Sequence, residues 1–450
     1  MNDSTAKKIA GRTWGLAGLA PWYALAVLLI AYALSFLDRV LLSFLIAPVK
    51  EDLGLSDTGI SLLLGFAFAL FYAVMGFPLG WLADRGNRQK LVAAGITVWT
   101  VMTAACGLAQ SFWTLFAARM GVGVGEAALT PAAYSMLSDY FPRERLARVL
   151  AIYSIGVPLG SGIAIWLGGA VVEFAEHFTH IELPFFGFLA PWRWAFIMVG
   201  VTGIAVTLLM LTVREPARRV HAGAVAADHG SMAEFMRFLR QNARLFVPYF
   251  GGLSLFVLVL YGYLLWTPTF FARTYDMSMR EIGTIYGIIQ AVCGAGGLLL
   301  GGFAADHMFG RGRPNAHLLT ILGAMAFYWP SAVLLPLMGS QGWAFIALIP
   351  ATIMASLWGG VAPAAVQLVT PAHMRARMSA LYLFIVNIVG LGLGPTVIAT
   401  VTDYVLADEG ALRYAMAIVS GVTVPLGAAI FCFSLRPFRE ALKRASARSA

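Results

Sequence analysis

Apolar residues along this chain neither alternate nor fall every third or fourth position; they run unbroken for twenty residues or more between short polar breaks. Helices that are apolar all round, long enough to cross ~30 Å of hydrocarbon, are the elements such runs predict. Six fall near 21–49, 57–83, 89–110, 112–141, 146–175 and 191–213. A polar stretch from Arg214 to Arg244 follows, and then six more near 246–272, 279–306, 315–338, 341–369, 374–406 and 411–435. The predicted fold class is therefore an all-α membrane protein of twelve transmembrane helices in two six-helix bundles. The predicted domains are 1–213, a linker at 214–245, and 246–450. Within the linker, Phe235, Met236, Phe238 and Leu239 alternate with Arg237, Arg240 and Arg244, a pattern that fits either a short helix on the membrane surface or a flexible tether. The first apolar run exceeds a signal-peptide core and is read as the first helix.

The halves repeat in sequence as well as in hydropathy. Gly80-Trp-Leu-Ala-Asp84-Arg85-Gly-Asn-Arg88 recurs as Gly302-Phe-Ala-Ala-Asp306-His307-Met-Phe-Gly-Arg311, and the segment Pro142 to Tyr153 recurs as Pro371 to Tyr382. Internal repeats around a midplane site are a common plan of secondary transporters.

Composition agrees: 60% of residues are hydrophobic, 12% are charged, and the mean hydropathy is +0.78. The net charge of +9 need not mean nucleic acid, since 24 of the 31 Lys and Arg fall in alternate connections, with five in the others and Arg39 and Arg119 inside spans. That asymmetry predicts cytoplasmic termini and a cytoplasmic linker, in a bacterial inner membrane, for a chain acting as a monomer. Cys106, Cys293 and Cys432 lie in apolar runs and read as small core residues. No cofactor is expected. Glu173, Glu176, His177, His180 and Glu182 gather in one outer loop, and a solvated loop is the favoured reading over a metal site.

Four charges stand away from the predicted helix ends: Asp38, Arg39, Arg119 and Glu126. Charges inside a bilayer are costly and usually mark an ion or substrate path. At about 1.5 Å per residue, Asp38 and Arg39 lie roughly 15 Å below the outer end of the first helix, with Arg119 roughly 10 Å and Glu126 roughly 20 Å down the fourth. Asp38 and Arg119 are thus at compatible depths, and Glu126 sits two turns below Arg119 on one face, near the midplane. Carboxylates whose ion pairs form and break as the halves rock are suited to loading and releasing a proton. The alternative is a static network tying the first and fourth helices together. Gly121, Gly123 and Gly125 mimic part of a dinucleotide fingerprint, but no strand precedes them, and close helix packing is the better reading.

At the predicted cytoplasmic end, Gly80, Asp84, Arg85 and Arg88, with Arg148 and the repeat at Asp306, are read as a gate across the interface of the halves. Tyr153, Gln290, Trp358 and Asn387 are cavity candidates. An ATP-driven pump is disfavoured by the absence of G-x-x-x-x-G-K-[ST], and an enzyme by the absence of an intramembrane nucleophile with a base.

These residues resemble the major facilitator superfamily over nearly the whole chain, through Gly80 to Arg88, the degenerate copy at Gly302 and the six-plus-six plan. Within it the chain is similar to the Spinster branch, through Asp38-Arg39, the run Arg119-Met-Gly-Val-Gly-Val-Gly-Glu126-Ala, and Val157-Pro-Leu-Gly-Ser-Gly162. The resemblance implies transport of sphingolipids or lysophospholipids, coupled to protons through Asp38 and Glu126, with Arg39 and Arg119 as charge partners. Those arginines could also hold an anionic headgroup while aromatic and aliphatic walls accept a chain. Trp358, Gly359 and Gly360 depart from the acidic residue some eukaryotic members carry in the tenth helix. Organic-anion symporters share the Asp-Arg pair but usually place Asn-Tyr before it, where this chain has Ser35-Phe36. The alternatives are such a symporter, or a lipid sensor that does not transport.

Overall fold

The computed structural model describes residues 16–178, 181–183, 187–218, 232–371 and 374–449. Among them, eleven helices are long and apolar enough to cross a membrane. The twelfth, fourth in order, is split into Phe112–Glu126 and Leu129–Tyr140. The first helix is Leu16–Phe44, followed by the short Ile46–Leu53. The second span covers Asp57–Ala83, the third Arg88–Gly107, the fifth helix Arg143–Ala175 and the sixth Pro191–Thr212. In the second half the seventh is Ala243–Tyr275, the eighth Met279–Gly310, the ninth Ala316–Leu334 and the tenth Gln341–Val369. The eleventh span is Arg377–Leu406 and the twelfth helix Leu412–Cys432. Within the predicted linker, Met232–Gln241 is helical, and a further helix, Leu435–Ser449, follows the twelfth. Between the fifth and sixth helices, Glu182–Leu183 and Gly187–Phe188 pair as a two-stranded antiparallel ribbon, which the apolar pattern does not announce.

Two spans depart from regular α geometry where the halves touch. The second passes through a wide π-type turn at Leu62–Phe66, and the eleventh through π-type turns at Val386–Leu393 and Val401–Leu406. Gly65 lies against the Leu391 carbonyl so closely that a Cβ there would sit 2.1 Å from its oxygen. The fifth and eighth helices meet in the same manner: a Cβ on Gly162 would be 2.6 Å from the Gly287 oxygen, and one on Gly169 2.4 Å from the Met279 oxygen. Small residues allow backbones to approach when lipid supplies no hydrophobic drive between helices. Both seams tighten at the end opposite the termini, where cross-half ion pairs also gather.

Candidate functional site

The break in the fourth helix sets the site. Pro131 has no N–H to donate and its ring crowds the carbonyl four residues back, so the helix ends at Glu126 and restarts at Leu129. Glycines bring the upper segment tightly against two neighbours. A Cβ on Gly125 would lie 2.6 Å from the Trp99 nitrogen, and one on Gly121 2.5 Å from Met102, both on the third helix. Gly123 faces the other way, 2.5 Å by the same measure from the Phe68 oxygen of the second. The G-x-G-x-G run is thus a packing surface that places Arg119 and Glu126 beside the first helix.

The four charged residues form two linked arrangements. Arg39 donates through Nε and a terminal nitrogen to Glu126 Oε2, each at 2.7 Å, with side-chain exposures of 13% and 0%. Its guanidinium also lies over three rings, 5.2 Å from Phe36, 4.9 Å from Phe68 and 4.9 Å from Tyr72. Glu126 Oε1 is buried without a hydrogen-bond partner. The Asp38 carboxyl is buried and accepts from the Thr103 hydroxyl at 3.0 Å, and among the described residues no Lys or Arg closes an ion pair with it.

Arg119 departs from expectation. Its depth suggests a meeting with Asp38, yet it meets the main chain: it donates to the Asp38 carbonyl at 2.9 Å, to the Leu63 carbonyl at 3.2 Å and to the Leu64 carbonyl at 3.5 Å. The last two belong to the π-type turn of the second span, where widened geometry leaves carbonyls in need of donors. Depth along a helix cannot distinguish a carboxylate from a carbonyl, so the sequence brings Arg119 to Asp38 without saying which of its atoms it bonds. Five fixed N–H groups make arginine suited to this backbone role.

Tyr72 is a mid-span aromatic that the sequence offers as a cavity candidate, whereas sequence reasoning missed Thr103, Phe36 and Phe68, whose only signal was a polar or aromatic residue in an apolar run. Of the cavity candidates, Tyr153 is fully buried, stacks on Tyr32 with centroids 5.0 Å apart, and leaves its hydroxyl unpartnered. Gln290 reaches Ser161 across the halves at 3.4 Å. Asn387 bonds within its own helix to the Leu383 carbonyl at 2.8 Å, and Trp358 packs, partly buried, on the core.

The gate candidates disperse. Arg88 is buried in the first half, donating to Asp139 at 2.5 Å, Glu215 at 2.7 Å and Ser135 Oγ at 2.9 Å, and so it ties the third helix to the fourth and to the chain leaving the sixth. Gly80 has open space where a Cβ would stand, Arg85 lies 4.3 Å over the Trp81 ring, and Arg148 and Asp306 are exposed. The side chain of Asp84 lies outside the described residues. Of the predicted loop cluster, Glu173 stands in the last turn of the fifth helix and pairs with Arg280 at 2.9 Å, while His180 and the Glu182 side chain lie outside the described residues.

The family model of the Major Facilitator Superfamily matches residues 28–395. The chain is 29% identical to an "MFS-type efflux pump" of Mycolicibacterium smegmatis, over 93% of each chain. It is 26% identical to "Protein spinster homolog 1" of Homo sapiens, over 92% of this chain and 82% of that one. Among solved structures, a bacterial homolog of the human lysosomal transporter Spinster, described as inward-facing and unoccupied, superposes with a TM-score of 0.75 at 28% identity, covering 94% of this chain and 97% of that one. These relatives and this fold are those of transporters, not enzymes. With most of its length matched by the family model and its twelve spans arranged in two halves, this chain belongs to the Major Facilitator Superfamily and stands with the Spinster-like transporters within it.

Proposed function

We propose that the chain is a proton-coupled transporter of an amphiphile with an anionic headgroup, of the lysophospholipid or phosphorylated sphingoid type, working by alternating access with both termini cytoplasmic. The observation that carries this reading is the Arg39–Glu126 pair, partly open at Arg39, ringed by aromatic side chains and standing next to a buried Asp38 carboxyl with which no Lys or Arg among the described residues closes an ion pair. A carboxyl buried without a counter-ion is cheaper to hold neutral than charged, which suits Asp38 to carrying a proton. Glu126 holds Arg39 through Oε2 and leaves Oε1 free for a second proton. Protonation there weakens the pair and frees Arg39 for a phosphate, while Phe36, Phe68 and Tyr72 accept apolar surface. Headgroup binding falls to Arg39 in this conformation, because the Arg119 guanidinium is engaged by three carbonyls. Closure of the halves at the end opposite the termini is consistent with an access path on the terminal side.

A second reading, proton-coupled uptake of a small organic anion, is favoured by the 26% identity to a "Probable L-galactonate transporter" of Escherichia coli over 63% of this chain. Purified protein in liposomes, screened against lysolipids, sphingoid bases and sugar acids with and without an imposed pH gradient, tests both. Saturable lysolipid flux that responds to the gradient is expected. Gradient-driven uptake of a sugar acid with no response to lysolipids establishes the second reading, and binding of lipid without flux establishes a sensor.

A further inference from the structure

At the end opposite the termini, the halves are joined by charges that none of the preceding chemistry uses. Asp57 opens the second span directly after Ser56, whose hydroxyl caps that helix by accepting from the Gly59 N–H at 3.1 Å. The Asp57 side chain is 0% exposed. Arg273, near the end of the seventh helix, grips it with two parallel bonds, NH1 to Oδ2 at 2.6 Å and NH2 to Oδ1 at 2.8 Å. Lys50, on the short helix after the first, bonds to the same carboxylate. Lys50 also pairs with Glu409 at 2.8 Å, and Arg273 reaches Glu409 at 3.6 Å. The four charges thus close a ring, and the Thr58 N–H donates beside it to Asp403 of the eleventh span at 2.6 Å.

We propose that Lys50, Asp57, Arg273 and Glu409 form a partner-exchange latch, in which the two ion pairs across the halves break on opening while the one within each half remains. Membership of the halves is what carries this. Lys50 and Asp57 both belong to the first half, Arg273 and Glu409 both to the second, and each half holds one cation and one anion. Parting the halves removes Asp57–Arg273 and Lys50–Glu409 but strands no charge, because Lys50–Asp57 and Arg273–Glu409 survive on either side. A latch with both cations on one half would leave like charges together in each open face, and a single buried pair would leave each member alone, the expensive outcome for buried ions. The tight backbone contact of Gly65 with Leu391 lies further along the second span, against the eleventh that also carries Asp403, so release of the ring and separation of that seam belong to one motion. A closed state that is firm, yet opens without orphaned charge, is what alternating access requires of its outer end.

The test reads distance and needs no substrate, so it stands or falls apart from the lipid assignment. Nitroxides are placed at Gln110, exposed in the loop after the third helix, and Gln341, exposed at the start of the tenth, on opposite halves at that end, in full-length protein whose native cysteines are replaced, reconstituted in liposomes. The parent gives a dominant short distance. Arg273→Gln adds a longer one, raising the open-to-closed ratio at least about ten-fold, the change that ~1.4 kcal/mol makes in an equilibrium constant. The pair Asp57→Lys with Arg273→Glu restores opposite charges across the seam but sets like charges within each half, so opening strands them and the open-to-closed ratio falls below that of the parent. Adding Lys50→Glu and Glu409→Lys returns the ratio to the parent's. A ratio at or above the parent's with the two substitutions alone, or failure of all four to restore it, overturns the exchange. Lys50→Asp with Asp57→Lys keeps the first half neutral and alters only which charges face each other, so it serves where the reversed variants fail to assemble. It opens the outer end as Arg273→Gln does, and a distribution unchanged from the parent overturns the latch.

Discussion

Four charged side chains, Asp38, Arg39, Arg119 and Glu126, stand within the spans of the first half, whereas the polar candidates within the spans of the second, Gln290, Trp358 and Asn387, are all neutral. The contrast recurs in the repeated segment near the ends of the second and eighth helices. Arg88 is buried among Asp139, Glu215 and Ser135, while Arg311, its counterpart, is exposed at the end of its helix. Two bundles on one helical plan have therefore divided the work. One half holds a tightly bonded ionic structure at two levels, and the other offers surface that is polar without being charged. In a solvent where each unpaired charge is costly, keeping the charges that lie deep within the spans in one half lets that half move as a unit, while the ring shared at one end parts into two neutral pairs.

The prediction that would break this comparison most completely concerns the proton. Asp38→Asn and Glu126→Gln each preserve shape and remove an ionisable group, so each should reduce pH-gradient-driven flux in liposomes to that of protein-free vesicles. Lysolipid binding should stay within about ten-fold, ~1.4 kcal/mol. Gradient dependence equal to that of the parent in both variants would mean that the charged centre is scaffolding, and the contrast between halves would then lose its functional meaning.

Next in size is the contrast between the repeats. Arg88→Gln removes the cation that bonds both Asp139 and Glu215 and should destabilise the protein by roughly 3–5 kcal/mol, as expected for removing one partner of a buried ionic network. Arg311→Gln should change stability by under ~0.5 kcal/mol, as exposed sites do. Thermal unfolding in detergent measures both, and equal shifts would show that the second copy still carries structural weight.

How much of this was legible follows from what each feature depends on. The helices could be read because each is a property of twenty consecutive residues, and because basic residues mark every second connection. The split of the fourth had a signal in Pro131, yet an apolar run through the break concealed it. Asp38, Arg39, Arg119 and Glu126 were evident as charges in apolar runs, but their pairing was not. Arg39 takes Glu126 although depth alone suggested no choice, and Arg119 takes carbonyls exposed by a π-type turn that no residue pattern announces. The ring at the end opposite the termini was least legible. Lys50 and Arg273 look like loop charges in sequence, and only the meeting of four chain segments buries Asp57 between them.

Arg39→Lys sharpens the comparison within the charged half. The charge survives, while the fork on Glu126 and much of the stacking over Phe36, Phe68 and Tyr72 are lost, so lysophospholipid affinity should fall about ten-fold, ~1–2 kcal/mol. Arg119→Met should act elsewhere, lowering stability by ~2–3 kcal/mol through stranded carbonyls with affinity near that of the parent. Calorimetric binding and thermal unfolding, measured on both variants, separate the roles. Loss of affinity in Arg119→Met at unchanged stability would move the headgroup site deeper.

The smallest effect belongs to the neutral half. Gln290 contributes a single uncharged hydrogen bond to Ser161, long at 3.4 Å, across the seam between the eighth and fifth helices. Such a bond adds at most ~1 kcal/mol net, and its loss strands no charge. Gln290→Leu should therefore leave the gradient response intact and shift lysolipid affinity by less than about five-fold, ~1 kcal/mol. The direction is informative, since a leucine there extends apolar surface: lipids with longer chains should gain relative to shorter ones if this wall receives the tail. Competition binding across a chain-length series reads that ratio. A change in headgroup preference instead, with no dependence on chain length, would mean that the second half recognises the polar end of the substrate, and the division between an ionic half and an apolar-accepting half would have to be redrawn.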